Sequence, residues 1–342
     1  MTLEQRILGK ARELGFDVCG FSRAERPQRA EYFKEWLARG MAGTMTYLNR
    51  SAERRVNPEL VLPGIRSVVS VGQSYFTGFL PDEIRTDPSR GIIASYAWGQ
   101  DYHELMGHAL EELAEFVQSL SADAKTKAYV DTGPVLEREA AERAGLGFIG
   151  KNTMLIHPRL GSNLFLGEIL TTVDLTPSPP PRQMPSCGSC TRCVDICPTH
   201  ALPAAHVMDA RLCISYLTIE FRGSVPLELR PKMGNHIFGC DDCQICCPWV
   251  KRFSTPTRQT AYENVLNRKA PRLVELAKLT EFEFLEMFKG SPVLRPKYEG
   301  FLRNVAVAIG NWKTPEARAA LSPLLRHESG LVREHAEWAA SQ

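Results

Sequence analysis

Long apolar runs are missing from this sequence. The longest, such as residues 67–71 and 94–98, fall far short of the roughly 20 residues that a membrane-spanning helix needs. The first residues, Met1-Thr-Leu-Glu-Gln-Arg6, have no apolar core of the kind an export signal carries, so export is not expected. An excess of one charge is missing too. The net charge is +2 over 342 residues, so contact with a nucleic acid would need a local basic patch. Polar, low-complexity character is equally scarce, because 44% of the residues are hydrophobic, which excludes wholesale disorder. Cysteine is nearly absent from most of the chain: nine of the ten fall between Cys187 and Cys247, and Cys19 is the outlier. A secreted disulfide framework would spread its cysteines through a small domain. A single dense segment instead points to metal in a reducing, cytoplasmic compartment.

What is present divides the chain, and the length suggests about two domains at roughly 150 residues each. Residues 1–175 alternate strand-like and helix-like stretches. Helices are expected at about 3–14, 31–39, 101–119 and 135–144, and strands at 16–21, 67–71, 127–130, 154–156 and 165–172. This is an α/β or α+β pattern, a sheet covered by helices. Five prolines fall within residues 176–186, which neither a helix nor a central strand tolerates, so this stretch reads as a linker. The cysteine segment occupies 187–255. From 256 to 342 helical periodicity takes over, with helices expected at 301–310, stopped by Gly310, at 315–325 and at 331–340. This tail has the pattern of a helical repeat that packs on the preceding domain, presenting either a plain solvated surface or a nucleic-acid face.

The cysteine segment carries the sharpest chemistry. Cys187-Gly-Ser-Cys190-Thr-Arg-Cys193-Val-Asp-Ile-Cys197-Pro198 has the C-x2-C-x2-C-x3-C-P spacing of a ferredoxin-type [4Fe–4S] loop, in which the fourth cysteine serves the other cluster. Cys240-Asp-Asp-Cys243-Gln-Ile-Cys246-Cys247-Pro248 supplies the complement, and Cys213 stands between the runs. The ligand count closes with Cys187, Cys190, Cys193 and Cys247 on one cluster and Cys197, Cys213, Cys240 and Cys243 on the other. Cys247 is preferred to Cys246 because it precedes the proline. Structural zinc would take four ligands and leave the other cysteines idle. Two clusters in series suggest an electron wire that feeds the N-terminal domain. Cys19 reads as a small buried apolar residue.

Three further motifs are weaker. Gly145-Leu-Gly-Phe-Ile-Gly150 matches G-x-G-x-x-G, but a helix precedes it and a strand follows. That inverts a dinucleotide site and suggests a helix C-cap and a close-packed turn. Asp101-Tyr-His103 reads as a helix N-cap rather than as a source of a cobalt-ligating histidine. Val130-Asp131-Thr-Gly-Pro-Val-Leu-Glu137 places an acid at a strand end before a turn. Asp131 is either a proton donor, if a dry pocket raises its pKa, or an Asx-type cap. Lys151, Asn152 and His157 are candidate ligand contacts or ordinary surface groups.

The chain resembles the epoxyqueuosine reductase family in residues 54–64, 130–137, 144–152 and 164–168, in both cysteine runs, and in the stretches that begin at Cys213 and Gly239. The resemblance implies an N-terminal cobalamin-binding domain similar to reductive dehalogenases, a ferredoxin-like domain with two [4Fe–4S] clusters, and a HEAT-like helical tail. It implies reduction of epoxyqueuosine to queuosine at the wobble position of tRNA. Co(I) cobalamin, fed by the clusters, would act on the epoxide, with Asp131 as proton donor. Candidate cobalamin contacts are Arg54, Tyr96, Asp131, Lys151, Asn152, His157 and Ser215. Candidate tRNA contacts are Arg222, Arg230 and Lys232. The expected partners are a tRNA with a G-U-N anticodon and a low-potential electron donor, acting on a monomer. The alternative is a dehalogenase-like enzyme acting on a small molecule. The family usually has an aliphatic residue where this chain has Cys246.

Overall fold

The computed structural model describes residues 1–179, 185–264 and 266–342. Part of the proline-rich 176–186 stretch therefore lies outside the described residues. Four strands form the N-terminal sheet: β1 (Val18–Arg23), β2 (Ser67–Ser74), β3 (Thr126–Tyr129) and β4 (Leu164–Thr171), in the order β1-β2-β4-β3. Every pairing in this sheet is antiparallel, so the architecture is α+β. All eight residues of β2 are buried, as expected of a central strand covered on both faces.

The period-two alternation of the strands sorts side chains to the two faces. On one face Val69, Val71, Phe165 and Ile169 pack on α1 (Leu3–Glu13) and α2 (Tyr102–Gln118), through Ile7, Met106, Leu110 and Leu113. Burying each aliphatic side chain of this kind contributes roughly 1.5–3 kcal/mol. On the other face Val18 and Leu166 meet Ala141, Ala144 and Leu146 from α3 (Glu137–Arg143) and the turn after it. Glu168 shares the face of Leu166 and Leu170, so a carboxyl lies between the sheet and α3, at 0% exposure.

The cysteine segment holds short helices, among them α4 (Ile214–Ile219), and is joined to the N-terminal half by a parallel pairing of Ile92–Ile93 with His236–Phe238. The tail is helical, built on α5 (Lys297–Trp312) and α6 (Gly330–Ala340). One apolar core takes Ile93 and Trp98 from the first part, Ile237 and Phe238 from the second, and Leu273, Phe301 and Val305 from the third. The three stretches read as domains share this core.

Gly310 is not the helix stop expected of it. α5 runs on to Trp312 and ends at Lys313, which is left-handed at φ +54°. A Cβ at Gly310 would lie 2.9 Å from Ala339, so the glycine serves the close approach of α5 and α6. The tail is tied to the cysteine segment by Arg303, fully buried, which donates to the carbonyls of Leu217, Phe221 and Gly223 at 2.6–2.9 Å. Its neighbour Asn304 donates to the carbonyls of Thr218 and Ile237. Together they satisfy carbonyls that the end of α4 leaves without helical partners.

Candidate functional site

Cys187, Cys190, Cys193 and Cys247 line one cavity of about 190 Å³, together with Asn152, Arg192 and Trp249. Pro248 begins a short helix, which fixes Cys247 in the extended region just before it (φ −68°, ψ 126°). Cys246 is not in the cavity lining, and its thiol is directed to the Cys243 carbonyl at 3.6 Å. The other four thiols form a second group. Cys197 acts electrostatically on Cys213, Cys213 on Cys240, and both Cys213 and Cys240 on Cys243. Burial pushes the thiols of Cys240 and Cys243 well above the ordinary range. Backbone N–H groups already point at both groups, from Lys151 to the Cys187 sulfur at 3.5 Å and from Ala201 to the Cys197 sulfur at 3.3 Å. Two sets of four thiols with N–H donors directed at sulfur fit a pair of cubane clusters. Cys19 packs with the sheet core, and burial pushes its thiol up to about 12, the behaviour of an inert side chain.

The glycine-rich turn supports this region. Gly145 follows α3 at φ +80°, and a Cβ on Gly147 would lie 2.3 Å from the Ile156 carbonyl oxygen. The turn feeds a small hairpin, Phe148–Ile149 with Leu155–Ile156, and brings Lys151 and Asn152 to the cysteine loops. Lys151 Nζ donates to the carbonyls of Gly188 (2.8 Å) and Cys190 (2.9 Å), and Asn152 Nδ2 to that of Cys243 (3.2 Å). Ser215 hydrogen-bonds the Cys213 thiol. These three expected cofactor contacts are therefore placed on the cluster loops. His157 accepts the Arg159 N–H at Nδ1, and burial, aided by Arg159, pulls its pKa down to about 4.

Asp131 follows β3 in a left-handed backbone conformation (φ +59°), a few residues from α3. Its side chain is 62% exposed, and its Oδ2 lies 3.5 Å from His103 Nε2. His103 Nδ1 lies 2.7 Å from Asp101, whose carboxylate also caps α2 by accepting the His103 N–H at 2.9 Å. The result is an acid–imidazole–acid chain. Burial alone would lower the His103 pKa, but the hydrogen bonds to Asp101 and Asp131 outweigh it and lift the imidazole to about 9. The same hydrogen bond from His103 lowers the Asp131 carboxyl. The condition set for Asp131 as a donor in its own right, a carboxyl raised by a dry pocket, is not met here: the proton shared by this pair sits on the imidazole, because an opposite charge beside a carboxyl favours its ionised form.

Other groups gather around Asp131, and of these only Tyr96 was singled out in the sequence. Burial, with the Asp131 charge second, raises Glu137 to about 8. Glu168 is pushed well above the carboxylate range by burial and has no hydrogen-bond partner among the described residues. Tyr96 stands edge-on to Tyr102 at 6.3 Å, and Tyr102 stacks on His103 at 4.1 Å. Arg55, not its exposed neighbour Arg54, turns inward, donating to the Val135 carbonyl at 2.8 Å. Glu137 and Glu168 had one legible signal, a charged residue within an apolar strand or just after the Gly-Pro turn. Tyr102 and Arg55 had none.

Of the basic residues expected to meet a nucleic acid, Arg230 is corrected. It is 2% exposed and its guanidinium is held by Glu334 (2.5 Å), Ser224 and the Val225 carbonyl. Arg222 lies at the surface, but its guanidinium is spent on the carbonyls of Ile219 and Arg295. Lys232 is exposed. No helix among the described residues is long and apolar enough to cross a membrane.

Paired thiol quartets beside a proton-bearing imidazole–carboxylate chain define an iron–sulfur oxidoreductase. Comparison with known proteins narrows this class. The family model described as epoxyqueuosine reductase QueG, DUF1730, matches residues 55–132, and a 4Fe-4S double cluster binding domain matches 186–250. The epoxyqueuosine reductase of Pseudomonas aeruginosa is 42% identical over 98% of this chain and 93% of its own length. That of Escherichia coli K12 is 37% identical over 99% and 89%. A crystal structure of epoxyqueuosine reductase with a tRNA-Tyr epoxyqueuosine-modified stem loop superposes with a TM-score of 0.88 at 31% identity, covering 99% of this chain and 89% of that one. A Bacillus subtilis epoxyqueuosine reductase, solved with its catalytic aspartate loop swung out of the active site, gives 0.85 at 32% identity over 98% and 89%. The chain belongs to the epoxyqueuosine reductase family.

Proposed function

We propose that this protein reduces epoxyqueuosine to queuosine at the wobble position of tRNA, the last step of queuosine synthesis. The observation that carries this reading is full-length similarity to epoxyqueuosine reductases in a chain whose eight motif cysteines fall into two groups of four. The reaction takes up two electrons and two protons, opens the epoxide to an alkene and releases water.

Cys187, Cys190, Cys193 and Cys247 would hold one [4Fe–4S] cluster and Cys197, Cys213, Cys240 and Cys243 the other, and the bound pair would supply one-electron transfer from a low-potential donor. The second cluster adjoins the Asp131 region: Asp241, next to Cys240, accepts the Ser95 N–H at 2.6 Å, and Tyr96 feels both Asp131 and Asp241.

The chemistry of the Asp131 surroundings fits cobalamin. Tyr96 and Tyr102 offer aromatic surface, and Arg55, Arg54 and the Asp131 loop offer partners to a rim of amides. Both nitrogens of His103 are already engaged, by Asp101 and Asp131, so the residues that would hold the corrin are those that offer partners to its amides. When bound, cobalamin supplies a strongly reducing cobalt centre able to act on an epoxide carbon. The protein's own part is the proton. His103 Nε2 hands its proton to Asp131, and Asp131 delivers it to the oxygen of the opening epoxide, which is a poor group to release as an alkoxide. The imidazole is then recharged from solvent for the second proton.

The tRNA, with a G-U-N anticodon, is held mainly through phosphates by exposed basic residues such as Lys232, so its binding weakens with salt. The tail, in which α6 packs on α5, is read as a HEAT-like repeat. The molecule works as a cytoplasmic monomer.

The test is anaerobic turnover of epoxyqueuosine-containing tRNA by the reconstituted enzyme, with and without cobalamin, read by nucleoside mass spectrometry. Loss of one oxygen only when cobalamin is present is the expected result. Absence of product from a protein with both clusters intact would overturn the substrate.

A further inference from the structure

Lys151-Asn152 belongs to the N-terminal half, yet its polar atoms are directed at the cysteine loops. Four hydrogen bonds leave this dipeptide. The Lys151 backbone N–H points at the Cys187 sulfur (3.5 Å), its ammonium reaches the carbonyls of Gly188 (2.8 Å) and Cys190 (2.9 Å), and the Asn152 amide reaches the carbonyl of Cys243 (3.2 Å). Asn152 is 3% exposed and lines the same cavity as Cys187, Cys190, Cys193 and Cys247. The first loop needs such support: Gly188 is left-handed at φ +49°, and within the loop the Cys190 N–H closes on the Cys187 carbonyl at 3.0 Å.

The approach is built with care. Gly150 leaves no room for a Cβ, which would lie 2.5 Å from Ile156 and 2.9 Å from the Asn152 side-chain oxygen, and Thr153 accepts a left-handed backbone (φ +66°) to complete the turn. A non-glycine residue held there costs energy, of order 1–3 kcal/mol, and persists only where its surroundings compensate.

We propose that Lys151 is a positioning residue that tunes the outer cluster: its ammonium, fixed over two carbonyls of the thiolate loop, and its N–H on Cys187 favour the reduced state of that cluster. Asn152 ties the second cysteine run into the same clamp. The proposal rests on the two-cluster reading above. Reduction adds one electron to a cluster, making it more negative. A fixed positive charge and an N–H donor at a ligand sulfur stabilise the added charge and raise the reduction potential. The ammonium is held near the outer quartet, so the effect is confined to that cluster.

The test is a potentiometric titration of the reconstituted full-length protein, followed by the paramagnetic resonance of each reduced cluster, in wild type, Lys151→Gln and Lys151→Arg, with iron counted in each. The expected result is a lower midpoint for the outer cluster in Lys151→Gln, an unchanged inner cluster, full iron in all three, and a near-wild-type midpoint in Lys151→Arg. An unchanged outer midpoint in Lys151→Gln at full iron overturns the proposal. So does loss of the outer cluster in both variants, which would make Lys151 a purely structural tie. Failure of the wild type to show two cluster signals would instead strike the two-cluster reading, so the two failures are distinguishable.

Discussion

The two cysteine quartets differ in their surroundings more than in their spacing. Cys187, Cys190, Cys193 and Cys247 line a cavity with the exposed Arg192 on its wall. Cys213 and Cys240 of the other quartet pack against an apolar cluster that includes Leu217, Met233 and Val307 from the tail helix α5. The inner quartet is thus enclosed by elements that the outer one never meets, and it lies next to the Tyr96–Tyr102–His103 column that leads to Asp131. Under the proposed function, the difference would give the wire a direction, with an entry end near solvent and a delivery end inside the protein.

The sharpest way to break this ordering is to remove one quartet at a time. Cys213→Ala is expected to lose the inner cluster and all turnover. Cys193→Ala is expected to lose the outer cluster while retaining measurable turnover with a small, strongly reducing dye that can reach the inner one. Iron counts and single-turnover yields compare the two. Equal loss in both variants under the dye would show that the ordering is wrong.

Asp131→Ala separates the wire from the chemistry it feeds. Both quartets are untouched, so about eight irons per chain should remain, while turnover falls roughly 10²–10⁴-fold, the usual contribution of a positioned proton donor. Loss of iron in this variant would instead make the left-handed Asp131 turn a structural element of the cluster side.

How much of this was legible depended on whether the chemistry lies close together along the chain. The cluster ligands are read from short-range spacing, and in the structure Cys187, Cys190, Cys193 and Cys247 line one cavity. The Gly145–Gly150 turn was also readable, because a helix before it and a strand after it exclude a dinucleotide loop. The Asp131 surroundings were readable only in part: the family resemblance named Asp131 and Tyr96, and left out Arg55, His103 and Glu168. Arg55, Tyr96, His103, Asp131 and Glu168 come from five separate stretches, and only the antiparallel sheet brings them together. Arg230 shows the opposite error. A basic residue reads as surface, and only the fold reveals Glu334 waiting for it from α6, 104 residues later. Gly310 failed in a similar way: glycine punctuates a helix in isolation, but here tertiary packing made its missing side chain useful inside one.

The delivery end also carries a pH signature. His103 is lifted from 6.5 to about 9, so its protonated pairing adds stability that is fully present below about 6.5 and is lost as pH rises through about 9. Turnover should fall over the same upper range as the imidazole loses the proton it passes to Asp131. His103→Asn, which keeps a hydrogen-bonding side chain but carries no exchangeable charge, should lower the rate and flatten that alkaline limb. An alkaline limb that survives in His103→Asn would assign the proton elsewhere, with Glu137, raised to about 8, as the next group to test.

The smallest effect expected is at Cys246, and it tests how strictly the entry quartet is defined. Cys246 and Cys247 are adjacent, so a one-residue shift could exchange them on paper. The structure separates them by direction: Cys247 is 7% exposed and lines the cavity, held extended by the proline after it, whereas the Cys246 thiol turns to the Cys243 carbonyl. Cys246→Ala removes the S–H contact to the Cys243 carbonyl and a thiol that lies near Cys193, Cys247 and Cys190 without lining the cavity, so iron content, cluster spectra and turnover should stay within about a factor of two of wild type, which corresponds to well under 1 kcal/mol. Cys247→Ala should lose the outer cluster. If instead the Cys246→Ala protein loses iron while Cys247→Ala retains it, the outer ligand set moves by one residue, and the cavity that separates entry from delivery would have to be redrawn around Cys246.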